Sequence, residues 1–155
     1  MKRFLQFLLL SLAIIAFGAI AKDKTSAVDQ FAEAKALFDQ YASLEASYDS
    51  TVADLYADHA VIKNRRTYPD GQVRVLELPA VKYKELIRAA MPLAKASNDY
   101  STYSDVTFAR EGDSVRISAV RYSVRKKYSS PISLLVAKQD GGPWLIIEEL
   151  SESQP

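Results

Sequence analysis

Leu55-Tyr56-Ala57-Asp58-His59-Ala60-Val61-Ile62 marks the place where the chain changes period. Upstream, apolar residues recur every three or four positions, the spacing of one face of a helix. Downstream, the run from Ala60 to about Tyr68 reads as a first strand. Thr51-Val52-Ala53-Asp54 has the form of a capping box and opens a short helix through about Ala57, with Asp58-His59 leading into the strand. Pro69-Asp70-Gly71 then reads as a hairpin turn, because proline presets the bend and glycine accepts a positive φ. Val73 to Leu78 is the returning strand.

Working outward toward the N-terminus, Val28, Phe31, Ala34, Phe38 and Tyr41 form an apolar stripe that Leu37 and Leu44 widen. Lys35, Asp39, Gln40 and Glu45 fall mostly off it. Ser26-Ala27-Val28-Asp29 reads as the capping box of this helix, which is predicted over residues 27–47. Toward the C-terminus, Pro79 starts a third helix over residues 80–95. Pro92 is predicted to kink or end it near the preceding turn. From Tyr100 the chain is all strand, in runs near 100–110, 114–128, 132–138 and 143–150. Turns at Glu111-Gly112-Asp113, Ser129-Ser130-Pro131 and Gln139-Asp140-Gly141-Gly142 separate these runs. Helices set ahead of an antiparallel meander predict an α+β fold, a curved sheet of about six strands wrapped round the long N-terminal helix. The open end of such a wrap is where a pocket forms.

The first residues read as an export signal. Lys2 and Arg3 are basic, Phe4 to Ala21 is apolar apart from Gln6 and Ser11, and Ala19-Ile20-Ala21 offers small residues at a cleavage site. The expected division is a signal peptide over residues 1–21 and one domain over residues 22–155, placed in the periplasm or secreted. A membrane association is expected only if the signal stays uncleaved as an anchor. There is no cysteine, so the domain folds without disulfides. Loss of Lys2 and Arg3 would take the formal net charge from +1 to −1. Neither that balance nor export suits a nucleic-acid partner.

The order of elements, the Leu55–Ile62 segment and the closing Gln139-Asp140-Gly141-Gly142-Pro143-Trp144-Leu145-Ile146 resemble the nuclear transport factor 2-like superfamily. These are cystatin-like α+β cones that include ketosteroid isomerases and SnoaL-like polyketide cyclases. The resemblance spans about residues 27–150 and implies a cone and a cavity. It also implies that Asn64 stands where ketosteroid isomerases carry their catalytic aspartate. A carboxamide does not accept a proton at neutral pH, so that isomerase chemistry is not expected.

Four residues are candidates for the site. Tyr41 and Tyr56 lie where the family's cavity-facing aromatics tend to be, and a phenol there can bond a ligand carbonyl. The single histidine, His59, is an acid or base candidate with Asp58 and Asp54 nearby, or else a surface residue at a helix-to-strand junction. Arg121 extends the face shared by Val115, Ile117 and Ala119 toward the open end, where it would suit an anionic ligand; the alternative is a solvated basic strip. Glu148 and Glu149 read as structural, pairing with the basic strip. No metal site is expected, since there is no second histidine and no ligand spacing, and no cofactor is expected. The leading reading is an exported domain that binds a small, partly apolar ligand, an anionic one included, without a recognisable catalytic base. A second is an isomerase- or cyclase-like lyase using His59. A third is a protein-interaction module, including a homodimer.

Overall fold

A computed structural model describes the backbone of residues 18–154 and the side chains of residues 30–154. The expected signal peptide therefore lies outside the described residues except for its last four, which are helical. Helix α1 spans Gly18–Ala46, so it starts upstream of the predicted cap. Ser26-Ala27-Val28-Asp29 sits inside it, because no proline or other breaker separates Gly18 from Ser26. Ala34, Leu37, Phe38 and Tyr41 are buried along its inner face, as the stripe predicts, with Phe31 and Leu44 partly so. Two residues past the end of the helix, Tyr48 takes a left-handed φ of 59°.

A 3-10 helix, Ser50–Leu55, stands where a short α-helix is expected. Its cap is Asp49, whose Oδ1 accepts from the Thr51 backbone N–H (2.8 Å) and hydroxyl (2.7 Å). The strands are β1 (Tyr56–Thr67), β2 (Val73–Pro79), β3 (Ser101–Glu111), β4 (Ser114–Ser123), β5 (Tyr128–Lys138) and β6 (Trp144–Ser153). They form one sheet in the order β2-β1-β6-β5-β4-β3. β1 runs parallel to β6, and every other neighbouring pair is antiparallel. The hairpin at Pro69-Asp70-Gly71 forms as predicted, with Gly71 at φ 84° and the Asp70 carboxylate accepting from the Gln72 N–H.

β1 begins at Tyr56 where the strand is expected from Ala60, and the end of the helix after β2 and the β4–β5 turn also differ from the sequence reading. Helix α2 spans Ala80–Ser97 and carries Pro92 without ending there, stopping instead at Asn98 in the left-handed region. Pro92 is exposed, so water can take up the carbonyl that its missing N–H leaves free. The turn between β4 and β5 lies at 124–127, and Ser129-Ser130-Pro131 belongs to β5. Lys127 adopts φ 59° and its N–H bonds the Ser123 carbonyl, while the Ser123 hydroxyl accepts from the Lys126 N–H. Pro131 faces outward and is exposed.

The core lies between α1 and the inner face of the sheet. Val115, Ile117 and Ala119 of β4, Ile132, Leu134 and Val136 of β5, and Ile146 and Ile62 meet Leu37 and Phe38 there. Their alternation with outward polar residues is the period-two pattern of a half-buried sheet. The β1–β6 register shifts between Tyr56 and Val61: Tyr56 is opposite Ile146, and Val61 is opposite Glu148. The extra residues between them bulge, so that Asp58 and His59 are both exposed while Tyr56 and Ile62 are buried.

Candidate functional site

Between α1, α2 and the sheet lies a cavity of about 270 Å³, lined by Tyr41, Glu45, Val52, Tyr56, Tyr83, Leu86, Ile87, Ala90, Met91 and Arg121. Leu86, Ile87, Ala90 and Met91 make one apolar wall from a single face of α2. Tyr41 and Glu45 are four residues apart on α1, and so share a face.

Glu149 of β6 sits beside the cavity and is only 2% exposed. Tyr56 donates its phenol to Glu149 Oε2 at 2.5 Å. Tyr83 donates to the same carboxylate, 3.1 Å from Oε1 and 3.3 Å from Oε2. The two rings meet edge to face, 5.4 Å between centroids. A buried carboxyl group without partners is costly; two phenolic donors and a nearby guanidinium offset that cost.

A second group mirrors the first. Tyr103 donates to Glu45 Oε2, and its ring packs edge-on against Phe38 and Tyr41. Burial pushes the Glu45 carboxyl above its ordinary range, against the opposing hydrogen bond from Tyr103 and the charge of Arg121. Burial likewise pushes the phenols of Tyr41, Tyr56, Tyr83 and Tyr103 upward, and the charge of Glu149 adds to this at Tyr56 and Tyr83. All four therefore remain neutral hydrogen-bond donors. Burial alone would lower Arg121, but Tyr41, Tyr103, Glu149 and Glu45 around it outweigh that and raise it. One Arg121 terminal nitrogen donates to the Glu152 carbonyl at 2.9 Å. Two acidic side chains, one cation and four phenols can hold a ligand group that both donates and accepts hydrogen bonds.

Of the four sequence candidates, Tyr41, Tyr56 and Arg121 come together on this cavity. His59 does not. It is exposed at the beginning of β1 and lines no part of the cavity. The carboxylates expected to orient it are engaged elsewhere, Asp58 with Lys84 at 2.7 Å and Asp54 with Arg88 at 2.6 Å. The bulge at the start of β1 buries Tyr56 and leaves the Asp58-His59 pair outside. Asn64 is also off the cavity wall, donating to Ser151 Oγ (3.0 Å) and accepting from Ser153 Oγ (2.6 Å).

Sequence reasoning missed Glu149, Glu45, Tyr83 and Tyr103 as site residues. Glu148 does pair with a strand arginine as expected, Arg116, at 2.5 Å. Strand alternation, however, turns one of two adjacent glutamates inward, and that one is Glu149. Glu45 was readable as the residue one helical turn beyond Tyr41.

No family model matches the chain, and no curated protein matches it. Solved structures do. A protein from Novosphingobium aromaticivorans, described as NTF2-like with a cystatin-like fold, superposes with a TM-score of 0.60 at 14% identity, over 90% of this chain and 91% of its own. An NTF2-like protein of unknown function from Pseudomonas putida KT2440 gives 0.62 at 14% identity, over 82% and 87%. A Catenulispora acidiphila protein in complex with S-DNPA gives 0.50 at 13% identity, over 81% and 93%. The chain thus has the nuclear transport factor 2-like, cystatin-like fold: a curved, unclosed six-stranded sheet with an N-terminal helix.

Proposed function

We propose that this protein is an exported binder of a small, partly apolar ligand, held in the cavity between α1, α2 and the sheet. The observation that carries this reading is Glu149, buried beside an open cavity and engaged by Tyr56 and Tyr83, across from an apolar wall on α2. The apolar body of the ligand packs on Leu86, Ile87 and Met91. Its polar head meets Glu45, Tyr41 and Arg121. Export is supported by the sequence alone, through Lys2-Arg3, the apolar run and Ala19-Ile20-Ala21.

The charge balance refines the expected ligand. Arg121 is the cation on this wall, and Glu45 and Glu149 stand close enough to raise its pKa. An anionic head would face those two acidic groups, so the cavity favours a neutral or amine-bearing head that donates hydrogen bonds. The lyase reading loses its support because His59 lies outside the cavity. A crystal structure of the protein purified from its native host tests the proposal. Density for a co-purified molecule between Met91 and Glu149 supports it; a cavity plugged by side chains overturns it.

A second reading, a homodimer, draws on the outer face of the sheet. Val61, Val75 and Leu150 are exposed there, and Lys63 and Arg65 alternate with Glu77 and Glu152. A face that carries both signs around apolar residues can meet a copy of itself. Sedimentation that gives a clean monomer at micromolar concentration counts against it.

A further inference from the structure

Arg66 of β1 and Arg74 of β2 are directly opposite each other in the antiparallel register. Like charges at such a position repel. Elsewhere on β1 each cation has an acidic partner, Lys63 with Glu77 and Arg65 with Glu152. Among the described residues, Arg66 and Arg74 have no hydrogen-bonding or ion-pair partner. Both guanidiniums instead sit over the ring of Tyr68, with Cζ 5.5 Å and 5.3 Å from its centroid. The ring face offsets part of the repulsion and fixes both cations in one place. Arg66 Nε is buried and has no partner.

Among the described residues, no acidic side chain bonds either arginine. Arg66 is paired in register with Ser153 of β6, and two residues earlier Asn64 is paired with Ser151. The Asn64 amide is taken up by those two serines, so the neighbours on this face are neutral. A repelling pair of arginines, preset on an aromatic ring with no acidic partner among the described residues, is an arrangement that an oxyanion completes.

We propose that Arg66, Arg74 and Tyr68 form a binding site for a phosphate group, either the free anion or the phosphate of a small organic ester. Two unneutralised cations match the charge of a phosphate dianion, and guanidinium forks match its oxygens. None of the three residues lines the Glu149 cavity, so this site stands or falls independently of the ligand proposed there.

The test is the melting temperature of the full chain, titrated with inorganic phosphate at ionic strength held constant with sodium chloride. The expected result is a saturable rise in wild type that Arg66→Gln and Arg74→Gln each weaken at least tenfold in half-saturating concentration. Without phosphate, Arg74→Gln melts higher than wild type, because one of two repelling charges has gone. Arg88→Gln, at an exposed and acid-paired arginine, keeps the phosphate response. Glycerol 3-phosphate run in parallel distinguishes the sources: saturation at lower concentration than phosphate assigns the site to an organic ester, and equal saturation to the free anion. No saturable rise with either probe, or a rise that survives in both Arg66→Gln and Arg74→Gln, overturns the proposal.

Discussion

Tyr56 and Glu149 lie 93 positions apart and share a 2.5 Å hydrogen bond. They meet beside the shift in register between the parallel strands β1 and β6. The bulge after Tyr56 turns Asp58 and His59 outward while Tyr56 and Ile62 are both buried. In β6, Ile146 and Glu149 are three positions apart and both buried, across a shift in register against β5, so the irregularity in β6 is what turns the carboxyl group inward to the phenol.

Removing that phenol leaves Glu149 buried with one donor fewer. Tyr56→Phe should lower stability by about 1–3 kcal/mol in chemical denaturation. Tyr83→Phe should cost less, since its bonds are longer and Tyr83 is only partly buried. Combined with Glu149→Gln, Tyr56→Phe should be clearly non-additive, because the two substitutions remove the same interaction. Additive costs would mean that the hydrogen bond contributes nothing.

Glu45 sets a second prediction, in pH. Its folded pKa is raised above the ordinary 4.5 by burial, so the folded state holds a proton that the unfolded chain has lost. Stability contributed by that proton is complete below about pH 4.5 and is lost as pH rises through the folded value. Denaturation midpoints should therefore fall with rising pH in this window, and Glu45→Gln should flatten that part of the slope. The exposed carboxylates Asp49, Asp58, Glu85 and Glu111 are lowered instead, by hydrogen bonds to Thr51, Lys84, Lys82 and Arg116, and act on the acid side of it.

The turn between β4 and β5 gives a third. Lys127 holds a left-handed φ of 59°, a conformation that costs a non-glycine residue about 1–2 kcal/mol. Lys127→Gly should raise stability by up to about that amount, whereas Ser130→Gly, inside β5, should lower it. The reverse outcome would restore the turn to Ser129-Ser130-Pro131.

That turn shows where the sequence was legible and where it was not. Ser-Ser-Pro carries turn chemistry in one dimension, but pairing with β4 draws it into a strand. The actual turn is Val124-Arg125-Lys126-Lys127, and no local signal announces the left-handed φ of Lys127. The apolar stripe of α1, the Pro69-Asp70-Gly71 hairpin and the antiparallel meander were readable because each is a local pattern. The parallel contact of β1 with β6 joins distant segments, and with it came the Tyr56–Glu149 pair. Tyr41 and Arg121 were found because each extends an apolar face; Glu149 was passed over because its charge suggested the outside.

His59→Ala gives a fourth prediction. With the imidazole exposed and outside the cavity, stability should change by no more than about 0.5 kcal/mol in denaturant unfolding. Occupancy of the cavity should be unchanged. A large loss of either would return His59 to the site.

The most direct test of the ligand-binding claim compares wild type with Ala90→Trp, both purified from the native host, by native mass spectrometry. Ala90 lines the cavity and is itself exposed, so an indole there fills the space without displacing the core. The account predicts a small non-covalent adduct on wild type that is absent from Ala90→Trp. Wild type that carries no adduct, or an adduct that persists on a folded Ala90→Trp, would contradict it.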